Sequence, residues 1–223
     1  MLFDLGGTLI DERDFSSWAD LAMRCGIDTE PEALAQSYRN WMEKDPVGDG
    51  MTHVMWWESV LSEAAQRPVP SALADRFLRE ARALPMEAQL FSDVRRCLDT
   101  FKKERRQLGV ISNSTSQESI SKVMRELGIL GYFRVVVSSG TEGVEKPNPE
   151  IFRRALERLG VAPGSAFFVG DLPNTDVRAA RAAGLDSVWL HRFGTGFGDD
   201  PPEITSLTEL PGVVRRAEAR RLS

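Results

Sequence analysis

The chain has 223 residues, 42% of them hydrophobic and 27% charged, with a net charge of −5. That length suits one core with a modest insert, and that charge gives no general attraction to nucleic acid. Its two cysteines, Cys25 and Cys97, make neither a disulfide framework nor a metal cluster and read as small buried apolar residues.

Residues 1–10 read as a short apolar strand that runs into Asp4 and a turn, Gly6-Gly7-Thr8. With Met1 only three residues before Asp4, that strand is short or the natural chain begins earlier. Residues 11–85 read as helical throughout. Leu34, Ala35, Tyr38, Trp41 and Met42 share one helix face, as do Val54, Trp57, Leu61 and Ala64, and again Leu73, Phe77, Leu78 and Ala81. Pro46–Gly50 and Arg67–Pro70 punctuate these helices. Adjacent Trp56 and Trp57 point about 100° apart on a helix, so one can be core while the other faces a cleft or a partner; for either alone, core packing is the favoured reading.

From about residue 86 strands and helices alternate. Val94, Leu98 and Phe101 mark a helix, and Leu108–Ser112 a strand. Ile120, Val123, Met124 and Leu127 mark the next helix, followed by a strand at Val135–Ser138. Ile151, Phe152, Ala155, Leu156 and Leu159 mark another helix. Ala166–Val169 is a strand, Ala179–Ala183 a helix closed by Gly184, and Ser187–Leu190 the last strand. The basic end, Arg215 to Arg221, is interleaved with Ala and Glu and reads as a solvated helix. The expected class is α/β: a Rossmann-like parallel sheet with helices on both faces, plus an inserted α-helical cap. Residues 1–10 and 86–223 would form the core domain and 11–85 the cap. No apolar run approaches the roughly 18 residues of a membrane span, and the N-terminus is not a basic-then-apolar leader. A cytoplasmic protein without membrane or nucleic-acid partners is expected.

Asp4, Ser112, Lys146 and Asp171 each follow a predicted strand, directly or in the loop beyond. In open α/β sheets that edge carries the site. Singly each has an ordinary explanation: a turn, a helix cap or a solvated lysine. Together they suit phosphate chemistry. A carboxylate can attack a phosphoryl group. Two carboxylates are the usual protein share of a Mg²⁺ shell. Ser112 and Asn113 before a helix suit a phosphate, and Gly6 and Gly7 allow close approach to a ligand.

In this order, with Lys146-Pro-Asn-Pro-Glu-Ile-Phe152 and Gly170-Asp171-Leu-Pro-Asn-Thr-Asp176, the chain resembles the haloacid dehalogenase-like (HAD) hydrolases, subfamily I with a helical C1 cap, which are mostly Mg²⁺-dependent phosphatases. The resemblance implies Asp4 as nucleophile and Asp4, the Gly6 carbonyl and Asp171 as Mg²⁺ ligands. It implies Asp176 as the acid ordering metal-bound water, with Asn174 a weaker candidate in the same loop. Thr8 would orient the loop, Lys146 would neutralise nucleophile and phosphate, and Gly7, Ser112 and Asn113 would contact the phosphate.

One departure stands out. The family's first motif carries a second aspartate where this chain has Gly6. That acid protonates the leaving group, help worth roughly 10²–10⁴ in rate. A leaving group of low pKa needs little protonation, and His53 or Glu58 of the cap could supply the proton. Gly50-Met-Thr52-His-Val-Met-Trp56-Trp57 is similar to a segment of the rhythmically-expressed-gene-two-like branch. The implied function is hydrolysis of a small phosphorylated metabolite. The alternatives are a 2-haloacid dehalogenase, disfavoured by Asp171 and Asp176, and a binding or regulatory protein on the same scaffold.

Overall fold

The computed structural model describes residues 1–11, 13–44, 51–81, 83–84, 88–192 and 200–222. In chain order, β1 (Leu2–Phe3) and β2 (Ile10–Asp11) precede four helices, α1 (Phe15–Arg24), α2 (Pro31–Lys44), α3 (His53–Ala64) and α4 (Ser71–Ala81). Then follow β3 (Gln89–Leu90), α5 (Val94–Lys103), β4 (Gly109–Ser112), α6 (Gln117–Glu126), β5 (Val135–Ser138), α7 (Ser139–Glu142) and α8 (Glu150–Leu159). β6 (Phe167–Gly170), α9 (Ala179–Ala182), β7 (Asp186–Leu190), β8 (Glu203–Ile204) and α10 (Leu210–Leu222) complete the chain. The chain divides into two compact units, Met1–Asp11 with Ala88–Ser223, and Glu12–Glu87.

The first unit is α/β. Six parallel strands lie in the order β5-β4-β1-β6-β7-β8. Alternation along the strands sends Leu2, Ile111, Val137 and Phe168 to one face, where α8 and α9 supply Ile151, Phe152, Ala155 and Ala180. Phe3, Val110, Val169 and Val188 face the other side, with Leu98 and Phe101 of α5, Ile120 and Met124 of α6, and Val214 of α10. Parallel sheets need both faces covered, because both are apolar. Phe152 meets Phe168 edge-on, with ring centroids 5.0 Å apart.

Several details depart from the sequence expectation. Ser187–Leu190 is not the final strand: β8 pairs beyond it, Trp189 opposite Glu203 and Leu190 opposite Ile204. A small antiparallel ribbon joins β2 to β3, with Ile10 opposite Leu90 and Asp11 opposite Gln89. Two-residue strands are too short to show alternation. The basic terminal helix is not simply solvated. It buries Leu210, Val213 and Val214, and Glu218 accepts both ends of the Arg106 fork at 2.6 and 2.7 Å.

The second unit, α1 to α4, has its own apolar core, including Leu21, Ile27, Leu34, Val60, Leu61 and Phe77. Both Trp56 and Trp57 are buried there, the core placement favoured for each. α3 packs between α2 and α4, so directions 100° apart both meet a neighbour. Trp56 sits edge-on to Tyr38, centroids 5.4 Å apart; Trp57 meets Trp18 at 5.4 Å and Phe77 at 5.0 Å. Thr52 caps α3 by accepting from the Met55 N–H at 3.2 Å. The expected break at Pro46–Gly50, and the expected domain boundary at residues 85 and 86, lie outside the described residues. Cys25 and Cys97 are buried free thiols, and burial pushes the Cys97 thiol up to about 12. Among the described residues no helix is long and apolar enough to cross a membrane.

Candidate active site

The Asp4 N–H donates to the Val169 carbonyl at 2.9 Å, extending the β1–β6 pairing by one residue and placing Asp4 at the carboxyl edge of the sheet. The chain then reverses. Leu9 and Ile10 both donate to the Leu5 carbonyl, at 2.8 and 3.0 Å, and Gly7 donates to Ile10 at 2.9 Å. Gly7 has φ +73°, the left-handed region that favours glycine. A Cβ there would lie 2.0 Å from Asp171 Oδ2. Gly170 is hemmed in the same way, since its Cβ would lie 2.4 Å from Asp176 Oδ2. Both glycines make room for a carboxylate at the end of β6. Gly6 lies within the turn, bridged to Ile10.

Beyond Gly170 the expected helix begins as a wide π turn, Pro173–Arg178, and becomes α-helical only in α9. Asp176 sits in that turn fully buried. Its Oδ2 accepts from the Leu172 N–H at 3.2 Å, and its Oδ1 from Lys146 Nζ at 2.6 Å. The same ammonium donates to Asp4 Oδ1 at 2.6 Å. Lys146 is 2% exposed, so this is a buried cation shared by two carboxylates. Asn113 fixes its backbone from both sides: Nδ2 donates to the Lys146 carbonyl at 2.8 Å, and Oδ1 accepts from the Lys146 N–H at 2.9 Å. Asn113, expected at the phosphate, therefore holds the loop that carries the lysine. Ser112 is buried at the end of β4, opposite Ser138 of β5.

Burial raises the Asp4 carboxyl to about 6; Lys146 opposes that shift and Asp176 adds to it. Burial also holds Asp171 well above the usual carboxylate range, helped by Asp4 and then Asp176. For Lys146 burial works against the charge, but Asp176 and Asp4 outweigh it and the ammonium is held above its ordinary value. The lysine is firmly cationic and a poor proton donor.

Asp4, Asp171 and Asp176 each offer a carboxylate oxygen within 4.8 Å of the others. Asp4 Oδ2 and Thr8 Oγ1 are buried with no hydrogen-bond partner. Three converging acids against one ammonium leave an excess of negative charge, and the donors are all hard oxygens. The set fits a small divalent cation such as Mg²⁺.

The Thr8 hydroxyl, expected to orient the loop, makes no hydrogen bond within the chain. The Gly7 and Thr8 carbonyls are held by Arg192 instead, at 3.2 and 2.5 Å. Arg192, its partner Asp93, and Trp189, whose indole donates to the Asp171 carbonyl at 3.0 Å, were not legible in the sequence. Each acts on a residue far away in the chain, and no spacing rule announces it. Asn174 lies in the π turn and accepts from Arg178 at 2.6 Å. His53 and Glu58 belong to the helical unit, where Glu58 accepts a hydrogen bond from the Ser71 hydroxyl.

A family model described as haloacid dehalogenase-like hydrolase matches residues 1–184. The chain is 32% identical over 225 residues to the glyceraldehyde 3-phosphate phosphatase of Methanopyrus kandleri, covering 96% of each. Among solved structures, the 2-haloacid dehalogenase of Pseudomonas syringae pv. Tomato DC3000 matches with TM-score 0.59 at 27% identity, covering 96% of this chain and 97% of that one. A HAD-hydrolase from Bacillus subtilis, solved bound to magnesium, matches with TM-score 0.69 at 21% identity, over 95% and 96% of the two chains. That last likeness speaks to the fold.

Proposed function

Because the chain belongs to the haloacid dehalogenase-like hydrolases, we propose that it is a Mg²⁺-dependent phosphatase of a small phosphorylated metabolite in the cytoplasm, with Asp4 as nucleophile. The observation that carries this reading is the buried Lys146 shared by Asp4 and Asp176, with Asp171 beside them. Asp4, Asp171 and the Gly6 carbonyl would hold the cation, with Asp176 behind them. When bound it would offset charge on the phosphoryl oxygens and on the acids.

In the first step an Asp4 carboxylate oxygen attacks phosphorus. The bond to the leaving oxygen breaks, and its electron pair departs with the alkoxide or phenolate, which takes its proton from water. Lys146 holds Oδ1 and leaves Oδ2 without a partner in the chain. In the second step water attacks the aspartyl-phosphate at phosphorus, releasing inorganic phosphate and restoring the carboxylate. Asn113 keeps Lys146 in place throughout, and Ser112 and Gly7 line the phosphate side. Gly6 has no side chain to give the leaving oxygen its proton, so esters with acidic leaving groups turn over fastest.

Mg²⁺-dependent hydrolysis of p-nitrophenyl phosphate by the wild type, Asp4→Asn and Gly6→Asp tests this. Turnover is expected in the wild type and a loss of at least ~10³-fold in Asp4→Asn. Gly6→Asp should speed alkyl phosphates more than the nitrophenyl ester, which needs no proton. Turnover in neither wild type nor Gly6→Asp would sink the reading. A second reading is a 2-haloacid dehalogenase, favoured by Gly6, since a halide leaves without a proton. Halide release from a 2-haloacid in excess chelator would establish it. Inactivity in both assays would leave a binding protein on this scaffold.

A further inference from the structure

The turn that follows Asp4 is held from behind by one side chain that the chemistry above does not use. Arg192 lies two residues beyond β7. Its Nε donates to the Gly7 carbonyl at 3.2 Å and its Nη2 to the Thr8 carbonyl at 2.5 Å. The other side of the same guanidinium makes a two-point pair with Asp93, Nη1 to Oδ2 at 2.9 Å and Nη2 to Oδ1 at 3.2 Å. Its plane lies over the Phe91 ring, 3.8 Å from the centroid. Both charged side chains are 11% exposed.

Asp93 is itself fixed. Besides Arg192, its Oδ2 accepts from the Ser206 hydroxyl at 2.9 Å and from the Leu207 N–H at 2.9 Å. Burial would raise its carboxyl, but these donors, Arg192 first, bring it below the ordinary value. The anchor therefore gathers the start of α5, the segment before α10 and the end of β7 onto one guanidinium. That guanidinium ends on two consecutive carbonyls of the turn carrying the candidate nucleophile.

A planar fork with five donors in fixed directions can span a carboxylate and two carbonyls at once, and an ammonium cannot. The geometry matters more here than in a turn with a side chain at every position. Gly6 and Gly7 impose little preference of their own on the backbone, and the Thr8 hydroxyl has no partner in the chain. We propose that Arg192, anchored by Asp93, is a positioning residue for the reaction at Asp4. It fixes the Gly7 and Thr8 carbonyls of the turn, and with them the placement of the nucleophile. It touches no reacting atom.

The proposal rests on the phosphatase reading for its kinetic part alone. The test compares wild type, Arg192→Ala, Arg192→Lys and Asp93→Asn, with kinetics on p-nitrophenyl phosphate and amide hydrogen exchange of the peptide covering residues 5–10. A displacement of about 1 Å at a reacting centre costs on the order of 100-fold in rate. Arg192→Ala is therefore expected to lose ~30–100-fold in kcat with KM within about threefold, and to exchange faster at residues 5–10 than the wild type. Protection in β4 should be unchanged. Arg192→Lys should recover little of the rate, and Asp93→Asn should fall between. Low millimolar guanidinium should restore part of the Arg192→Ala rate, which a bulk loss of stability would not allow.

If Arg192→Ala does not fold, Arg192→Lys and Asp93→Asn carry the same two measurements. kcat within threefold of wild type in every folded variant overturns the proposal. If the wild type turns over no phosphate ester, the phosphatase reading has failed by itself. Unchanged exchange at residues 5–10 then still overturns the positioning role, and faster exchange confined to that turn supports it.

Discussion

Asp4 is a buried acid whose carboxyl titrates near pH 6 rather than near its ordinary 3.8. Its folded pKa lies above its unfolded one, so the folded chain takes up a proton that the unfolded chain would release. Through this group the stability of the metal-free protein rises as pH falls from about 6 toward 4, and above 6 the penalty is fully present. Removing the charge should remove the penalty. Asp4→Asn in chelator is expected to be more stable than wild type at pH 7.5 by on the order of 1–3 kcal/mol, and so to unfold at higher temperature, and the gap should close by pH 4. Thermal unfolding of both proteins across that range measures it. A lower melting temperature for Asp4→Asn at pH 7.5 would show instead that the Asp4–Lys146 contact is net stabilising.

Terminal helix α10 shows how an element's role depends on which of its faces is counted. Its sequence is dominated by arginines, yet Leu210, Val213 and Val214 are buried in the same core as Phe3 and Val169. Arg215 meets Glu104 at 2.8 Å, and Arg221 reaches Asp186. Those ion pairs are largely exposed and weak; the apolar face does most of the holding. Val214→Ala should cost ~1–2 kcal/mol in chemical denaturation, and Arg215→Ala less than ~0.5. The reverse ranking would mean that the charges dock the helix. The same face-by-face logic decided what could be read in advance. Long periodic helices and the β-branched run at Val135–Ser138 announced themselves. β2, β3 and β8, at two residues each, carry no period. Asp4, Lys146, Asp171 and Asp176 were legible because each sits in or just past a strand-end loop with a characteristic neighbour. Arg192 and Asp93 were not, because their contacts join residues roughly a hundred or more positions apart. That Trp56 and Trp57 both pack inward was not legible as a pair, because the packing of α3 between two helices is not written in α3 itself.

At the scale of the molecule, the apolar residues sort cleanly. Among the described residues, the two clusters flanking the sheet draw on residues 1–10 and 88–217, and the helical cluster on residues 15–84. Each unit thus has the separate core that independent folding requires. Replacing residues 12–88 by Asn-Gly would join Asp11 to Gln89, opposite each other in the ribbon, through the two-residue turn that such hairpins favour. The shortened chain is expected to keep its circular dichroism and to melt cooperatively. A broad, non-cooperative transition would show that the sheet unit depends on the helices.

The β2–β3 ribbon also bears on inheritance. The chain leaves the sheet unit and returns to it at facing residues, so the intervening stretch is closed at its base by two ladder pairs. In a gene, two crossovers, one just after the codon for Asp11 and one just before that for Gln89, would exchange the helical unit as a single block and leave the codons for Asp4, Lys146, Asp171 and Asp176 as they were. Descendants of such a chain can diversify on one side of the ribbon while the other is passed on unchanged.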